Sequence, residues 1–548
     1  MSVHPVAHLW ICTRDCQFGE VIMHTDVGLG SWPWRRARIT PDRIALVEEG
    51  RVMTYRHLAD RVARLAASLA DAGVRPGDRV AYLGPNAIAT FEALFATTLA
   101  GAVFVPLNTR LSPAEVEYTL ADSAARVLFT TGAHHETISG IGVPPESLVS
   151  VVSHDAGSCP WPALDYEQFL ESGSLSANFA PVGLDDACLI LYTSGTTGRP
   201  KGAMLNHGNV TFNTLNQFAH IDVLESDRAL CIAPMFHVTG LNQVTLPTLF
   251  KGGSVEVISK FDAATVLKAI ESQEITSFSA VPTILQLICE HPAWSDTDLS
   301  SLRYVVYGGS PVIERVARAW LDRGVRLQQG YGMTEATAGV YLAPGDGASG
   351  RPTSVGFPHF YTDVAVQQHG AVRAIEAGDR AELLVRGPNV FGASWKRPNE
   401  TAESLVDGWF RTGDVVEVAE DGWASIVDRV KDVIISGGEN IYPAEVEAVL
   451  AQHPNIAAAA VIGIADSRWG EVGIAFVSPV EGTTIETDDV TTFLAGRLAR
   501  YKIPRHFEVL TEIPRNATGK IQRAALREKA TAATGNEHSQ PKTAAVQR

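Results

Sequence analysis

The sequence predicts a layered α/β fold: a large N-terminal domain of α/β subdomains with a small antiparallel β-barrel-like subdomain, followed by a small α+β C-terminal domain. Three observations support this prediction. Apolar patterns with helical and strand periodicity alternate over roughly the first 350 residues. After Gly350, short strands separated by turns replace the helices, and beyond Asp428 helices and strands alternate again over about 100 residues, the size of a small domain.

The first segment has the helix–strand rhythm of a parallel sheet covered on both faces. Apolar residues at helical spacing over 58–69, ended by Gly73, predict a helix that leads into a strand over 79–83. The unit repeats as a helix over 87–100 and a strand over 102–106. Further short buried strands are predicted over 188–192, 229–233, 254–258 and 303–307.

The remaining elements divide the chain into domains. The antiparallel region is predicted to hold strands over 362–367, 381–385 and 415–418. The last domain is predicted to hold helices over 444–452 and 488–498, and strands over 457–462 and 473–477. We therefore expect a disordered extension at 1–25, an N-terminal domain at 26–428, a C-terminal domain at 429–530 and a disordered tail at 531–548.

Composition and charge exclude several classes of protein. A chain of 548 residues with 45% hydrophobic and 19% charged residues is globular and long enough for at least two domains. Its formal net charge of -16 disfavours nucleic acid as a partner, because phosphate backbones are bound by clustered Lys and Arg. The most apolar window, 89–107, contains Glu92, Gly101 and Pro106, which indicates a buried helix and strand and not a transmembrane span.

The N-terminus and the cysteines favour a cytoplasmic protein. Residues 1–30 lack a basic region followed by an apolar run, so no secretory signal peptide is predicted. The six cysteines have no repeating spacing, which fits a reducing compartment. The sequence leaves open whether translation begins at Met1 or Met23, whether the chain forms a homodimer, and whether it attaches peripherally to membranes.

The most informative motif is a Gly/Ser/Thr-rich run at 192–202 that directly follows a predicted buried strand. Its glycines let backbone amides face an anion, its hydroxyls add donors and Lys201 adds positive charge, which together suit a polyphosphate. It is not a Walker loop, because Lys201 follows Gly198 after two residues and is succeeded by glycine. A solvated turn is the alternative. The candidate phosphate-binding residues are Thr193, Ser194, Gly195, Thr196, Thr197, Gly198 and Lys201.

A second motif, 329–335, follows an apolar run and includes Gly332 and Met333. In it Tyr331 offers an aromatic face for a purine, Thr334 a donor for a phosphate oxygen, and Glu335 a hard carboxylate ligand for magnesium. Considered alone, the run is equally compatible with a loop that carries one exposed glutamate.

Charged residues further along the chain complete the set. A carboxylate at Asp414 suits both hydroxyls of a ribose, and Arg429 suits sugar or phosphate oxygens. Lys520 lies on a Gly-bearing turn in the C-terminal domain. The alternatives are a surface salt-bridge cluster for Asp414 and Arg429, and an ordinary solvated lysine for Lys520.

Together and in this order, these runs resemble the adenylate-forming superfamily of acyl-CoA synthetases, nonribosomal-peptide adenylation domains and beetle luciferases. The resemblance extends from about Trp32 to Arg527. It implies an enzyme that uses ATP and Mg²⁺ to activate a carboxylic acid as an acyl-adenylate and then passes the acyl group to coenzyme A.

The resemblance also implies a role for each motif residue. It gives adenine stacking to Tyr331, an α-phosphate contact to Thr334, metal coordination to Glu335 and Thr193, and a ribose clamp to Asp414 with Arg429. Gly308, Gly309 and Ser310 resemble the segment that lines the adenine and acyl pocket, and Lys520 resembles the adenylation lysine. Lys431 resembles the hinge of a mobile C-terminal domain, which would rotate so that Gly437 and Gly438 face the site and leave room for a pantetheine arm.

The acid substrate is less strongly specified. The run 234–237 resembles the acyl-CoA synthetase form of its motif, and it lacks the aspartate that holds the ammonium group of an amino acid. His237 either gates the pocket, contacts the carboxylate, or packs as an ordinary buried histidine. Uncharged residues over 238–249 suit a hydrophobic acid.

We therefore expect an AMP-forming acid–CoA ligase for a medium- or long-chain fatty acid, with an aryl acid of the cinnamate or benzoate type as the alternative. A luciferase-like oxidoreductase and a non-catalytic nucleotide-binding protein are the alternatives of another class. Glu335 and Lys520 argue against the last, because a protein that only binds a nucleotide needs no charge at the reacting phosphorus.

Overall fold

The computed structural model describes residues 26–537 except for 176–178, 180, 194–199, 310–311, 313, 346–347, 369–370, 430–431, 437–438, 467–468, 496, 499 and 517–518. The extension predicted at 1–25 lies outside the described residues. The chain divides into two compact units, one comprising the residues up to Ala45 with Val52–Ile190, the other Leu46–Arg51 with the residues from Leu191 onward. The domain boundary expected after residue 428 stays a prediction.

The first unit is built on a parallel sheet. Its helices are α1 (Trp32–Ile39), α2 (Tyr55–Asp71), α3 (Ile88–Leu99), α4 (Pro113–Ser123), α5 (His135–Ile141) and α6 (Tyr166–Ser172). Strands β1 (Ile44–Glu48) and β2 (Arg51–Thr54) have residues in both units, as does β8 (Ala187–Thr193). The other strands are β3 (Arg79–Leu83), β4 (Val103–Pro106), β5 (Ala125–Thr130), β6 (Ser150–Ser153) and β7 (Leu164–Asp165).

The strands of this sheet follow the order β8-β4-β3-β5-β6-β7, and every pairing is parallel. The predicted helix–strand alternation is confirmed: the strand predicted over 79–83 is β3, and the helix predicted over 87–100 is α3, one residue shorter at each end.

Glu92 shows how a fully buried helix accommodates a charge. Every residue of α3 is buried, and Glu92 is only 1% exposed. Arg61 on α2 donates to both carboxylate oxygens of Glu92, with N–O distances of 2.5 and 3.1 Å. Tyr166 on α6 donates its hydroxyl to Glu92 at 2.7 Å, and Arg61 also pairs with Glu167 at 2.8 Å. The apolar window 89–107 is thus a core helix and strand, as predicted.

No helix in the described part of the chain is both long and apolar enough to span a bilayer.

The second unit begins with a further, mainly parallel sheet. Its helices are α7 (His207–His220), α8 (Val238–Asn242), α9 (Thr245–Lys251), α10 (Ala263–Ser272), α11 (Pro282–Cys289) and α12 (Glu314–Leu321). Its strands are β9 (Lys201–Asn206), β10 (Arg228–Cys231), β11 (Ser254–Val257), β12 (Ser277–Ala280), β13 (Tyr304–Tyr307), β14 (Leu327–Tyr331), β15 (Tyr341–Leu342) and β16 (Phe357–Pro358). The sheet order is β16-β15-β14-β13-β12-β10-β11-β1. It is parallel from β1 to β14 and antiparallel at β15 and β16.

An antiparallel sheet follows, as predicted for the region after Gly350. Its elements are β17 (Asp363–Gln368), β18 (Ala371–Ala374), β19 (Arg380–Arg386), α13 (Pro398–Ser404), β21 (Leu405–Val406), β22 (Trp409–Val418) and β23 (Ala424–Arg429), while β20 (Ala393–Ser394) pairs with β9. The order is β18-β17-β19-β22-β21, and β23 also pairs with β22. The strand predicted over 415–418 is the second half of the longer strand β22.

The C-terminal region is an α+β layer. Its elements are β24 (Ile434–Ser436), β25 (Glu439–Ile441), α14 (Pro443–Leu450), β26 (Ile456–Asp466), β27 (Gly470–Pro479), α15 (Thr487–Ala495), β28 (His506–Val509) and α16 (Arg523–Glu537). The period of two along β26 separates its faces: Val461 packs with Val446 of α14, while Ile462 packs with Leu526 of α16. Helix α16 continues past residue 531, where the disordered tail was expected, and residues 538–548 lie outside the described part.

Replacing Arg61 by Ala is expected to lower the free energy of unfolding by about 3–5 kcal/mol, because it leaves the buried Glu92 carboxylate without its cation. Arg56→Ala is the matched control: Arg56 pairs at 3.4 Å with Asp42, whose side chain is 85% exposed, and such pairs contribute about 0–1 kcal/mol. Urea unfolding monitored by circular dichroism measures both. Equal losses in the two variants would contradict this account of α3.

Candidate active site

The residues of the 329–335 motif form a tight turn at the end of β14. Tyr331 is the last residue of that strand, and Thr334–Ala336 form one turn of 3₁₀-helix. Thr337 and Ala338 then adopt positive φ angles of 54° and 88°. Gly332 is required here, because a Cβ atom at that position would collide with the carbonyl of Ala338. The turn therefore presents Thr334 and Glu335 at the carboxyl end of β14, the outermost of the parallel strands, and α/β proteins commonly bind ligands at the carboxyl ends of such strands.

Asp414 is held between a phenol and a guanidinium. It is 5% exposed and pairs with Arg429 across the antiparallel strands β22 and β23. Arg429 Nε lies 3.0 Å from Asp414 Oδ1, and the hydroxyl of Tyr331 donates to Asp414 Oδ2 at 2.7 Å. Burial and the charge of Asp414 raise the pKa of Tyr331 well above its usual range, so its hydroxyl remains a donor. The two motifs that sequence analysis had treated separately are thus in direct contact.

Glu335 and Lys520 belong to the same electrostatic cluster. Burial raises the pKa of the Glu335 carboxyl, and the positive charges of Arg429 and Lys520 oppose that rise. Lys520 is exposed to solvent, but enough protein surrounds its ammonium group that desolvation, with the charge of Arg429, lowers its pKa. The charges of Asp414 and Glu335 act in the opposite direction. The structure therefore brings together Tyr331, Glu335, Asp414, Arg429 and Lys520.

The turn that carries Lys520 is ordered by a neighbouring asparagine. Asn516 accepts a hydrogen bond from the Lys520 amide at 2.9 Å through Oδ1, and its own amide donates to the Lys520 carbonyl at 2.8 Å. Gly519 adopts a φ of 79°, and a Cβ atom there would lie 3.4 Å from the hydroxyl of Thr283 in the first turn of α11. The turn is therefore seated against the same layered α/β structure that contains Glu335.

The predicted phosphate loop is only partly described. Thr193 ends β8 and donates its hydroxyl to the Lys201 carbonyl at 3.5 Å. Lys201 Nζ lies 2.5 Å from a carboxylate oxygen of Glu400, an ion pair that sequence analysis did not anticipate. Ser194, Gly195, Thr196, Thr197 and Gly198 lie outside the described residues.

The predicted hinge, Lys431, and the predicted pantetheine residues, Gly437 and Gly438, also lie outside the described residues. Immediately before the hinge, Asp428 is 7% exposed and accepts a hydrogen bond from the Ala444 amide of α14 at 2.9 Å. Burial raises the pKa of Asp428 to about 6. Asp428 thus joins the end of the antiparallel sheet to the first helix of the C-terminal layer.

The segment predicted to line the adenine and acyl pocket follows β13. Position 308 has no room for a side chain, because a Cβ atom on Gly308 would lie 2.6 Å from the carbonyl oxygen of Gly330 on β14. Gly309 has a φ of 90°, and Ser310 lies outside the described residues. His237 is partly buried and immediately precedes α8.

Sequence analysis missed a group of buried amides around α7 and α8. Asn213 and Asn242 are 0% exposed and Gln243 is 6% exposed. Asn213 Nδ2 donates to the Asn242 carbonyl at 2.7 Å. The only signal in the sequence was a set of asparagines and glutamines at helical spacing. A solvent-facing stripe has the same pattern, and only the burial of the side chains tells the two apart.

The fold and the cluster define a nucleotide-dependent, acid-activating enzyme, and comparison with known proteins assigns it to a family. A family model described as AMP-binding enzyme matches residues 33–395, and one described as AMP-binding enzyme C-terminal domain matches residues 445–520. The chain therefore belongs to the AMP-binding enzyme family. Within it, the chain is an acyl-CoA synthetase, an AMP-forming acid–thiol ligase.

Individual relatives cover nearly the whole chain. A feruloyl-CoA synthase of an Amycolatopsis species is 48% identical over 500 residues, which are 91% of this chain and 98% of that protein. The indoleacetate–CoA ligase of Aromatoleum aromaticum is 40% identical over 509 residues, again 91% of this chain and 98% of that protein. The solved o-succinylbenzoate CoA synthetase of Bacillus subtilis in complex with its acyl-adenylate intermediate has a TM-score of 0.80 at 32% identity, covering 91% of this chain and 98% of that one.

Replacing Tyr331 by Phe is expected to raise the KM for ATP about tenfold, because it removes one hydrogen bond to the charged Asp414. The kcat should change less, since a ribose clamp at Asp414, as the family resemblance implies, would act in the ground state and the transition state alike. Tyr341→Phe on the adjacent strand β15 is the control, as it also removes one buried hydroxyl. Steady-state pyrophosphate release measures both, and an unchanged KM in Tyr331→Phe would separate Asp414 from nucleotide binding.

Proposed function

We propose that this acid–CoA ligase activates an aromatic carboxylic acid. In the first half-reaction an oxygen of the acid forms a bond to the α-phosphorus of ATP, and the bond from that phosphorus to the pyrophosphate oxygen breaks. In the second, the thiol of coenzyme A forms a thioester with the acyl carbon, loses its proton, and AMP leaves. The convergence of Glu335, Lys520 and Arg429 on the Tyr331–Asp414 pair is the observation that carries the nucleotide half of the proposal.

The adenylation step needs positive charge, because the attacking carboxylate and the triphosphate are both anions. Lys520 is the proposed cation at the reacting phosphorus. The charges of Asp414 and Glu335 act on its ammonium group, but neither carboxylate forms an ion pair with it, because no described acidic side chain lies within 4.0 Å. Such a group is available to a phosphate oxygen. Arg429 is already paired with Asp414 and therefore suits the ribose side of the nucleotide.

Glu335 fits a site for Mg²⁺ that is shared with the nucleotide. Mg²⁺ usually takes one or two carboxylates together with substrate phosphates and water. A buried carboxylate with a raised pKa gains stability from a cation placed beside it. When bound, Mg²⁺ supplies charge that neutralises the phosphates. The hydroxyl of Thr193 is the proposed second contact.

The second half-reaction requires access for a thiol. A lysine held at the adenylate would obstruct that access, and rotation of the C-terminal domain about Lys431 would withdraw it. Gly437 and Gly438 are the proposed contacts for the pantetheine arm after rotation. The Asp428–Ala444 hydrogen bond is the described link that lies beside this hinge.

A buried amide favours an aromatic acid with a polar substituent over an aliphatic one. Gln243 Nε2 lies 3.7 Å from the position of a Cβ atom on Gly308 and 3.6 Å from one on Gly330, so its amide is seated against both glycines. Its Oε1 has no hydrogen-bond partner among the described residues. An aliphatic tail would leave that oxygen unsatisfied at a cost of about 1–3 kcal/mol, whereas a phenolic hydroxyl would donate to it.

The relatives point the same way. The feruloyl-CoA synthase and the indoleacetate–CoA ligase are named for aromatic acids that carry a ring O–H or N–H donor, which matches the free acceptor on Gln243. They favour the aryl acid that sequence analysis held as the alternative, and not the fatty acid that it preferred. Gln243 is the residue on which we base the choice between the two classes.

Lys520→Ala is expected to reduce ATP–pyrophosphate exchange about 10²- to 10³-fold, because it removes a cation aimed at charge in the transition state. Thioester formation from a chemically prepared acyl-adenylate should stay within about threefold of the unmodified protein, since that step no longer needs the cation. Lys529→Ala, on the exposed face of α16, is the matched control. Equal losses in both half-reactions would refute the role given to Lys520.

A panel of acids tests the substrate class. We expect kcat/KM to be highest for 4-hydroxycinnamates, lower for unsubstituted cinnamate and lowest for octanoate and palmitate. Gln243→Leu should reduce the preference for 4-hydroxycinnamate over cinnamate about tenfold, because one hydrogen bond is lost. Gln452→Leu, on an exposed position after α14, controls for the amide-to-leucine change. A preference for palmitate, or an unchanged ratio in Gln243→Leu, would contradict the proposal.

A further inference from the structure

A buried asparagine, Asn389, spans the turn that carries Thr334 and Glu335. It follows β19 and is 0% exposed. Its side-chain amide donates to the carbonyls of Gly339 and Ala336 at 2.7 and 3.3 Å, the two ends of the strained part of the turn. Its Oδ1 accepts from the hydroxyl of Thr362 at 2.9 Å. All of the polar atoms of this side chain are therefore engaged, and the two N–H donors are both directed at the turn.

The backbone around Asn389 makes two further contacts with the same turn. The hydroxyl of Thr337 donates to the Asn389 carbonyl at 2.7 Å. The amide of Phe391 donates to the carbonyl of Glu335 at 2.7 Å. Residues 389–391 and 335–339 are thus joined by four hydrogen bonds, although they are about 50 positions apart in the chain.

The turn has a physical need for such support. Thr337 and Ala338 have positive φ angles of 54° and 88°, which L-residues with a Cβ atom rarely adopt. Conformations of this kind persist only where the surrounding structure holds them. Within the turn itself, four backbone hydrogen bonds of 3.1 Å run from the amides of residues 336–339 to the carbonyls of Met333, Thr334 and Ala336, and the Asn389 side chain holds the turn from outside.

Residues 387–391 are in turn fixed from their other side. Asn209 on α7 donates through Nδ2 to the carbonyls of Pro388 and Val390, each at 2.9 Å. These carbonyls flank Asn389, so its position is set independently of the turn that it supports. Asn209 is itself 3% exposed and takes part in the capping box that begins α7. A rigid helix therefore determines where Asn389 can place its donors.

We propose that Asn389 is a positioning residue for adenylation: by holding the Ala336 and Gly339 carbonyls it fixes the direction of Glu335 and thereby sets the affinity for Mg·ATP. This inference rests on the proposed function, because it takes Glu335 as the carboxylate that shares Mg²⁺ with the nucleotide. Asn389 touches no reacting atom, and its effect passes through the backbone of the turn.

Asn389→Asp is the sharpest test, because it keeps the size of the side chain but replaces two donors by an oxygen that repels the same carbonyls. Calorimetric titration with Mg·ATP is expected to show at least about tenfold weaker binding, the loss expected for the hydrogen bonds removed. Binding of ATP in the presence of EDTA should change less than threefold, because the contact with Glu335 depends on the metal. The control is Asn455→Asp, whose side chain bonds Thr484 on the surface.

A second variant covers the case in which Asn389→Asp does not fold. Thr337→Val removes only the hydroxyl that donates to the Asn389 carbonyl, and should weaken Mg·ATP binding in the same direction by a smaller factor. Wild-type affinity for Mg·ATP in both variants, or equal losses with and without the metal, would overturn the inference.

A different result would contradict the proposed function: failure of the unmodified protein to exchange pyrophosphate with any acid. In that case faster amide hydrogen exchange at 334–339 in Asn389→Asp would still support the positioning role, and unchanged exchange would refute it.

Discussion

The contact of Asp414 with Tyr331 and Arg429 is the interaction on which the rest of the site depends. It joins Tyr331, the last residue of β14, to a pair of antiparallel strands that begin about 80 positions later. A carboxylate that is almost fully buried is stable only when its oxygens are paired, and here each oxygen has its own partner. Asp414 is therefore held in one position, while Glu335 and Lys520, which lack such close pairing among the described residues, remain able to respond to added charge.

Opposing electrostatic effects give the two remaining groups their character. Desolvation alone would favour the neutral forms of Glu335 and Lys520. Nearby opposite charges favour the charged forms: Arg429 and Lys520 act on Glu335, and Asp414 and Glu335 act on Lys520. A triphosphate with its metal would strengthen both charged forms, so binding and charge state are coupled. Lys201 differs from them in having a direct partner, Glu400, and an ion pair so near the surface is weak enough for an incoming anion to replace the carboxylate.

Much of the fold and most of the charged site followed from sequence, for identifiable reasons. The strand at 79–83 and the helix before residue 100 were found because apolar periodicity is strong where a sheet is covered on both faces. Tyr331, Asp414 and Lys520 were found because their chemistry is concentrated in short runs. Asn389 and Gln243 were not, because a buried amide has no sequence signal apart from its surroundings. The preference for a fatty acid rested on residues 238–249, which in the sequence are merely uncharged, whereas relatives named for aryl acids favour the alternative.

The seating of the Lys520 turn against Thr283 of α11 has a consequence for the order in which the enzyme becomes competent during synthesis on the ribosome. Domains emerge from the N-terminus onward, so Tyr331 and Asp414 are made well before Lys520. A nascent chain that has emerged as far as β23 contains all three residues of the Asp414 contact, but not Lys520, the proposed cation for adenylation. On the roles proposed for these residues, an unfinished polypeptide would be able to bind nucleotide but would lack the cation proposed for adenylation.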